Sequence, residues 1–148
     1  MTAGFPEAAA RLRAAAPRVA ARALEVAIDH DSTLAERHPE AELRQILRDT
    51  AVLVERVALS VASGSPRFTE EWTDWVIPLY RRRRVPLDDI SNLCEGVRSA
   101  VGAVLAPGEQ EAADTALDAA VAVLRWNRRI AGDARKRNRL ATFLYKGA

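Results

Sequence analysis

Apolar residues recur at intervals of three and four along most of the chain. The clearest example is the segment from 41 to 64. Its apolar stripe consists of Leu43, Ile46, Leu47, Leu53, Val54, Val57 and Val61. This spacing matches an α-helix with one buried face, whereas a strand would alternate at every second residue. The segment is therefore predicted to be a long amphipathic helix, which ends where Gly64 can cap it and Pro66 prevents continuation.

The same spacing predicts four more helices. The first begins at Pro6, is broken or kinked at Pro17, and resumes towards His30 after an alanine-rich run. A second runs from about Thr69 to Arg83, with a buried face that contains Trp72, Trp75, Val76, Leu79 and Tyr80. A third covers about 87–105 and places Cys94 on its apolar stripe, and the last runs from about Glu109 towards Tyr145. The polar segment between residues 29 and 40 is predicted to be a connection.

These elements predict an all-α fold. Short loops join about five helices, and neither alternating strand patterns nor a repeat of fixed period interrupts them. At 148 residues the chain suits one domain, residues 1–148, that can bury a real core. The expected architecture is a helical bundle with a long basic C-terminal helix over residues 125–148.

The composition restricts the cellular compartment in which the protein is expected and the covalent links that it can form. No stretch of about 18 uninterrupted apolar residues could cross a membrane. Charged residues interrupt the N-terminal segment, so it is not a signal peptide. A single cysteine excludes an internal disulfide. A soluble, cytoplasmic protein is expected, without a membrane partner.

The positive charge is concentrated at the C-terminal end. From residue 125 onward there are eight Lys/Arg and one acid, a net charge of +7. The first 124 residues hold fourteen Lys/Arg and nineteen Asp/Glu, a net charge of −5. A mildly acidic body therefore carries a basic end.

The basic end has three interpretations. The first is docking onto an acidic partner or onto the acidic body of a second copy, most simply in a homodimer. Candidate contact residues for a partner or anion are Arg125, Arg128, Arg129, Arg135, Arg137 and Arg139. The second is a solvated helix end, where cations favour the dipole. The third is nucleic-acid binding, which we rank last because the cations would lie on several sides of the helix rather than along one stripe.

A small-molecule pocket is an alternative function. Paired tryptophans can form the floor of a flat apolar site, so Trp72, Trp75, Tyr80 and Cys94 are the candidate ligand-binding residues. At helical spacing these side chains are more often core residues, and a cysteine on an apolar stripe behaves as a small apolar group.

Catalytic and metal signatures are weak. His30 and His38 flank a polar connection at a spacing that matches no common helical ligand pair, so both are expected to be solvated. The acid pair Asp88–Asp89 is explained as helix capping. We expect no enzymatic activity, metal or cofactor.

The segment YRRRRVPLDD, residues 80–89, is predicted to be a corner between two helices. Arg81–Arg84 would occupy the last turn of one helix, where cations complement the dipole. Pro86 would open the next helix, with Asp88 and Asp89 in its first turn. The arginines and aspartates would face each other across the joint and could pair.

Residues 72–101, WTDWVIPLYRRRRVPLDDISNLCEGVRSAV, carry a family resemblance. The segment resembles the helical N-terminal sensory domains of RsbRD-type stress regulators and the related helical segments of PucR/CdaR-type transcription regulators. Those domains have an aromatic-rich helix (here Trp72 and Trp75), an arginine (Arg83 or Arg84), a turn with proline, leucine and acid (85–88), and a later apolar-arginine step (97–98). Their turn commonly has a glycine where this chain has Arg84.

The resemblance implies an all-α sensor or interaction module in cytoplasmic signalling that can form a dimer, and it transfers no catalytic residues. Together with the helical pattern and the charge asymmetry, it favours a non-enzymatic module that acts through protein contacts in stress response or transcription regulation.

Overall fold

The computed structural model describes residues 4–131 and contains seven α-helices and no strand in that range. They are α1 (Pro6–Ala14), α2 (Ala16–His30), α3 (Thr33–Arg37), α4 (Glu40–Ser63), α5 (Arg67–Arg82), α6 (Leu87–Ala100) and α7 (Pro107–Ala131), and a 3-10 turn (Val101–Ala103) follows α6. The all-helical prediction is confirmed, whereas the count of five is wrong. The part of the predicted last helix from residue 132 onward lies outside the described residues.

Two short helices account for the difference in number. Pro17 has no N–H, and the predicted first helix divides at Ala15 into α1 and α2. In the segment predicted to be a connection, α3 forms a single short helix. Its start is stabilised because the Asp31 carboxylate accepts hydrogen bonds from both the backbone N–H and the hydroxyl of Thr33. Leu34 then anchors α3 in the core, fully buried.

The five longest helices form the body of the bundle. Each packs against two neighbours in the closed order α2, α6, α7, α5, α4, and α4 also contacts α7 across the centre. The short α1 lies outside this ring against α4, and Phe5 donates a backbone hydrogen bond to the Val61 carbonyl at 2.8 Å. A central helix with so many neighbours needs a wide apolar surface, and α4 provides it through the stripe predicted from the sequence.

The contact between α2 and α6 is the most extensive in the bundle, and it is close at Gly96. Its α2 side is built from alanines at helical spacing, all buried: Ala16, Ala20, Ala23 and Ala27. On the α6 side, a Cβ at Gly96 would lie 2.3 Å from the Ala23 carbonyl oxygen. Real Cβ atoms do not approach backbone this closely, so only glycine is compatible with this distance between the two helices.

The predicted corner between α5 and α6 is present and has a recognisable form. The Arg84 N–H donates to the Arg81 carbonyl at 3.1 Å and the Val85 N–H donates to the Tyr80 carbonyl at 2.8 Å. This hydrogen-bond pair is the Schellman motif of a helix C-terminus. Arg84 occupies its left-handed position with φ 60°, where glycine is the favoured residue.

The charged residues of this corner bind groups elsewhere in the bundle. Arg81 donates to the Asn127 carbonyl on α7 at 3.2 Å, and the Arg83 guanidinium lies 3.8 Å from the Asp49 carboxylate on α4. Asp88 forms an ion pair with Arg128 on α7 at 3.1 Å. The corner therefore joins α5 and α6 to α4 and α7.

Replacing Gly96 with alanine should test the α2–α6 contact. The added methyl group would overlap the Ala23 backbone, and separating the helices would open gaps along the alanine face. We expect Gly96→Ala to lower the free energy of unfolding by about 3 kcal/mol. Urea denaturation followed by circular dichroism measures the change.

Gly108→Ala is the matched control. Nothing lies within 4 Å of a Cβ at Gly108, in the first turn of α7, and alanine favours helix. This variant should be as stable as the wild type or more stable by up to about 1 kcal/mol. Equal destabilisation by the two substitutions would contradict the close α2–α6 packing.

Candidate functional site

The described end of α7 exposes large apolar side chains between cations. Trp126 is 57% exposed and Ile130 is 63% exposed, and their spacing of four residues places them on one face of the helix. The Arg129 guanidinium lies over the Trp126 ring at 5.6 Å from its centre. Among the described residues the one other large apolar side chain with comparable exposure is Trp75. We call Trp126, Arg129 and Ile130 the α7 surface patch.

The predicted arginines of the basic end fall into different environments. Arg125 is exposed and lies on the side of α7 that faces α6, where Arg128 pairs with Asp88. Arg129 belongs to the α7 surface patch. Arg135, Arg137 and Arg139 lie outside the described residues. Within the described range, the arginines therefore flank the exposed apolar residues and also line a groove.

The four residues predicted to form a ligand pocket differ in how deeply they are buried. Trp72, Tyr80 and Cys94 are almost fully buried, whereas Trp75 is 47% exposed. The prediction that Trp75 belongs to the buried face is therefore wrong. It lies at the edge of the apolar arc of α5, beyond the part that the neighbouring helices cover. The ligand pocket itself stays a prediction.

Trp72 and Tyr80 both hydrogen bond to Asp49, a buried residue of α4. The Tyr80 hydroxyl donates to the Asp49 carboxylate at 2.8 Å, and the Trp72 indole N–H donates to the Asp49 backbone carbonyl at 3.2 Å. The side-chain amide of Gln45 donates to the other carboxylate oxygen at 2.9 Å. Burial and the nearby Asp49 charge raise the pKa of Tyr80, so its hydroxyl stays protonated and remains a donor. This cluster holds α5 against α4.

The Cys94 thiol is enclosed in the core of α6. Burial, assisted by the charge of Glu95, raises its pKa to about 12. A protonated, inaccessible thiol is a poor nucleophile and a poor metal ligand. Its surroundings are those of a small apolar core residue.

A second buried aspartate joins α6 to the segment around α3. The Arg37 guanidinium donates to both oxygens of the Asp89 carboxylate, at 2.7 and 3.0 Å, and the His38 Nε2 lies 2.9 Å from one of them. Arg37 also bonds to Asp31 at 2.9 Å. The side chain of Asp89 is 1% exposed, and these partners compensate the cost of burying its charge.

This cluster corrects two expectations. His38 is buried rather than solvated, and Asp89 binds Arg37 and His38 across about fifty residues rather than only capping α6. His30 is exposed, as expected. The sequence does contain a signal for the buried aspartates, because Asp49 and Asp89 occur at the helical spacing of the apolar stripes of α4 and α6.

A surface groove runs between α6 and α7 and has a volume of about 260 Å³. Leu87, Val121 and Leu124 form its apolar floor, and Asp88, Ser91, Asn92, Glu95, Arg125 and Arg128 line its polar sides. The groove combines charges of both signs with an apolar floor. A smaller cavity of about 170 Å³ lies between α2 and the 3-10 turn, lined by Arg18, Arg22 and Val104 among others.

Within residues 4–131, no group of three or more His, Cys, Asp or Glu side chains could hold a metal ion. None of the helices in that range combines the length and the apolar content needed to cross a membrane. No protein-family model, curated protein or solved structure matches the chain significantly.

Removing the Asp89 carboxylate should test the buried cluster. Asp89→Ala leaves Arg37 and the buried His38 without their shared acceptor, and we expect it to lower the free energy of unfolding by about 3 kcal/mol. The neighbouring substitution Asp88→Ala removes an acid that is partly exposed and pairs at the surface, so it should cost about 1 kcal/mol or less. Denaturant titration of both variants makes the comparison, and similar losses would contradict a special role for Asp89.

The burial of Cys94 predicts low chemical reactivity. A thiol with a pKa of about 12 is half ionised at that pH, and its ionised fraction falls tenfold with each pH unit below it. At about pH 8 the thiolate is therefore about one molecule in ten thousand. We expect the native protein to resist a thiol-specific chromogenic reagent and the urea-unfolded protein to react with one equivalent. Rapid reaction of the native protein would show that Cys94 is accessible and not a core residue.

Proposed function

We propose that this chain is a non-enzymatic helical interaction module in cytoplasmic signalling or transcription regulation, and that it self-associates as a homodimer. The observation that carries the proposal is the α7 surface patch. Tryptophan and arginine are the residues most enriched at the energetic centres of protein interfaces. Here Trp126 and Arg129 stack on each other beside an exposed isoleucine.

Electrostatics favours a second copy as the partner. The chain from residue 125 onward has a net charge of +7 and the preceding part has a net charge of −5, so each copy offers both halves of a complementary pair. If the α7 end of one copy contacts the acidic body of the other, the same contact repeats in reverse. A reciprocal contact of this kind closes a twofold dimer.

The hydrogen bonding of the two buried aspartates supports a structural rather than a catalytic role for these residues. Both buried aspartates have both carboxylate oxygens bonded by side chains, Asp49 by Gln45 of its own helix and Tyr80 of α5, and Asp89 by Arg37 of α3. Arg84 has the left-handed backbone that glycine, the common residue at that point of the turn in RsbRD-type and PucR/CdaR-type regulators, adopts readily.

Light scattering during size-exclusion chromatography tests the dimer. The full chain at micromolar concentration is expected to elute with twice the monomer mass, and the doubly substituted Trp126→Ala/Ile130→Ala protein is expected to be monomeric, since it loses the apolar centre of the interface. Added salt should weaken the dimer by screening the attraction between the acidic and basic surfaces.

Trp75→Ala is the matched control, because it removes an exposed tryptophan from α5 and leaves α7 unchanged. It should retain the dimer. A strictly monomeric wild type would rule out the homodimer. A dimer that persists in the Trp126→Ala/Ile130→Ala protein would exclude the α7 surface patch as the contact.

A further inference from the structure

The groove between α6 and α7 is bounded by two ion pairs. The Asp88–Arg128 pair lies at one end, at 3.1 Å, and the Arg98–Asp118 pair lies at the other, at 2.5 Å. These pairs show that the two helices run antiparallel. Between them, the floor is formed by Leu124, Leu87 and Val121, which are each less than one-tenth exposed. The groove is therefore a defined depression with fixed ends.

Three polar side chains in the middle of this groove have no partner within residues 4–131. Ser91, Asn92 and Arg125 line it, and none of them makes a side-chain hydrogen bond or ion pair with another described residue. The hydroxyls of Thr50 and Thr115 bond to the carbonyl one turn before them, whereas Ser91 makes no such bond. Their donors and acceptors are available to a ligand.

The charges around the groove define the ligand. The Arg125 guanidinium on α7 has no ion-pair partner among the described residues, and Glu95 on α6 offers a carboxylate that Arg98 contacts through one oxygen at 3.1 Å. Besides the Asp88–Arg128 pair, one cation and one anion line the groove from opposite helices, so a simple anion or a simple cation would meet repulsion from one of them. A molecule with both charges would satisfy both walls.

We infer that this groove binds a small zwitterion, of the class of a free apolar α-amino acid. The ligand carboxylate pairs with Arg125 and accepts from the Asn92 amide, and its ammonium group donates to Glu95. Its aliphatic side chain covers Leu124 and Val121. A volume of about 260 Å³ suits a ligand smaller than most drugs. This inference is independent of the proposed dimer.

Nuclear magnetic resonance titration of the ¹⁵N-labelled full chain tests the site. L-Leucine at millimolar concentration is expected to shift backbone amide signals of residues 87–95 and 121–128 in a saturable manner. N-Acetyl-leucine, which lacks the cation, and leucine amide, which lacks the anion, are expected to bind at least about tenfold more weakly, because each leaves one charged wall unpaired.

Substitutions test the contribution of each charged wall to binding separately. Arg125→Gln and Glu95→Gln should each weaken leucine binding about tenfold, and both change exposed side chains, so the fold is retained. Arg22→Gln, in the other cavity, is the matched control and should leave binding unchanged.

The inference is overturned if leucine, isoleucine, valine and phenylalanine all leave the groove signals unshifted. Equal binding of leucine and its two singly charged derivatives would also overturn it, as would unchanged affinity in Arg125→Gln.

Discussion

The short distance between α2 and α6 is the constraint on which the rest of this bundle depends. The backbone of Gly96 lies so close to the Ala23 carbonyl that no side chain could separate them. Such an approach requires small residues along both surfaces, and α2 supplies an alanine at nearly every turn. Because α6 is held tightly on this side, its other side is left to face α7. The α6–α7 groove and the position of the α7 end both follow from that arrangement.

Two buried aspartates determine how the less regular parts attach to the ring. Asp49 binds Tyr80 and so holds α5 against α4, whereas Asp89 binds Arg37 and His38 and so holds the α3 segment against α6. Burying a charge is costly unless each oxygen is bonded, and both carboxylates meet that condition. Pairing of this kind favours one arrangement of the helices over others of similar apolar burial.

The end of α7 combines two surfaces on one helix. Trp126 and Ile130 point to one side, where a protein partner would dock in the proposed dimer, and Arg125 and Arg128 point towards the groove beside α6. Adjacent positions in the sequence thus belong to separate surfaces because successive residues of a helix are about 100° apart. A ligand in the proposed groove site would lie within a few residues of the proposed partner contact.

The sequence by itself determined the local structure: helical spacing identified the long helices, Pro17 divided the first of them, and Gly64 ended α4 in the left-handed conformation expected of a cap. These features depend on neighbours within one or two turns, so a linear pattern is sufficient to reveal them. Only the tertiary structure decided that Trp75 is exposed and that His38 is buried against Asp89. Helical spacing gives the direction of a side chain but not which neighbouring helix covers it, and partners separated by about fifty residues meet only after the bundle has packed.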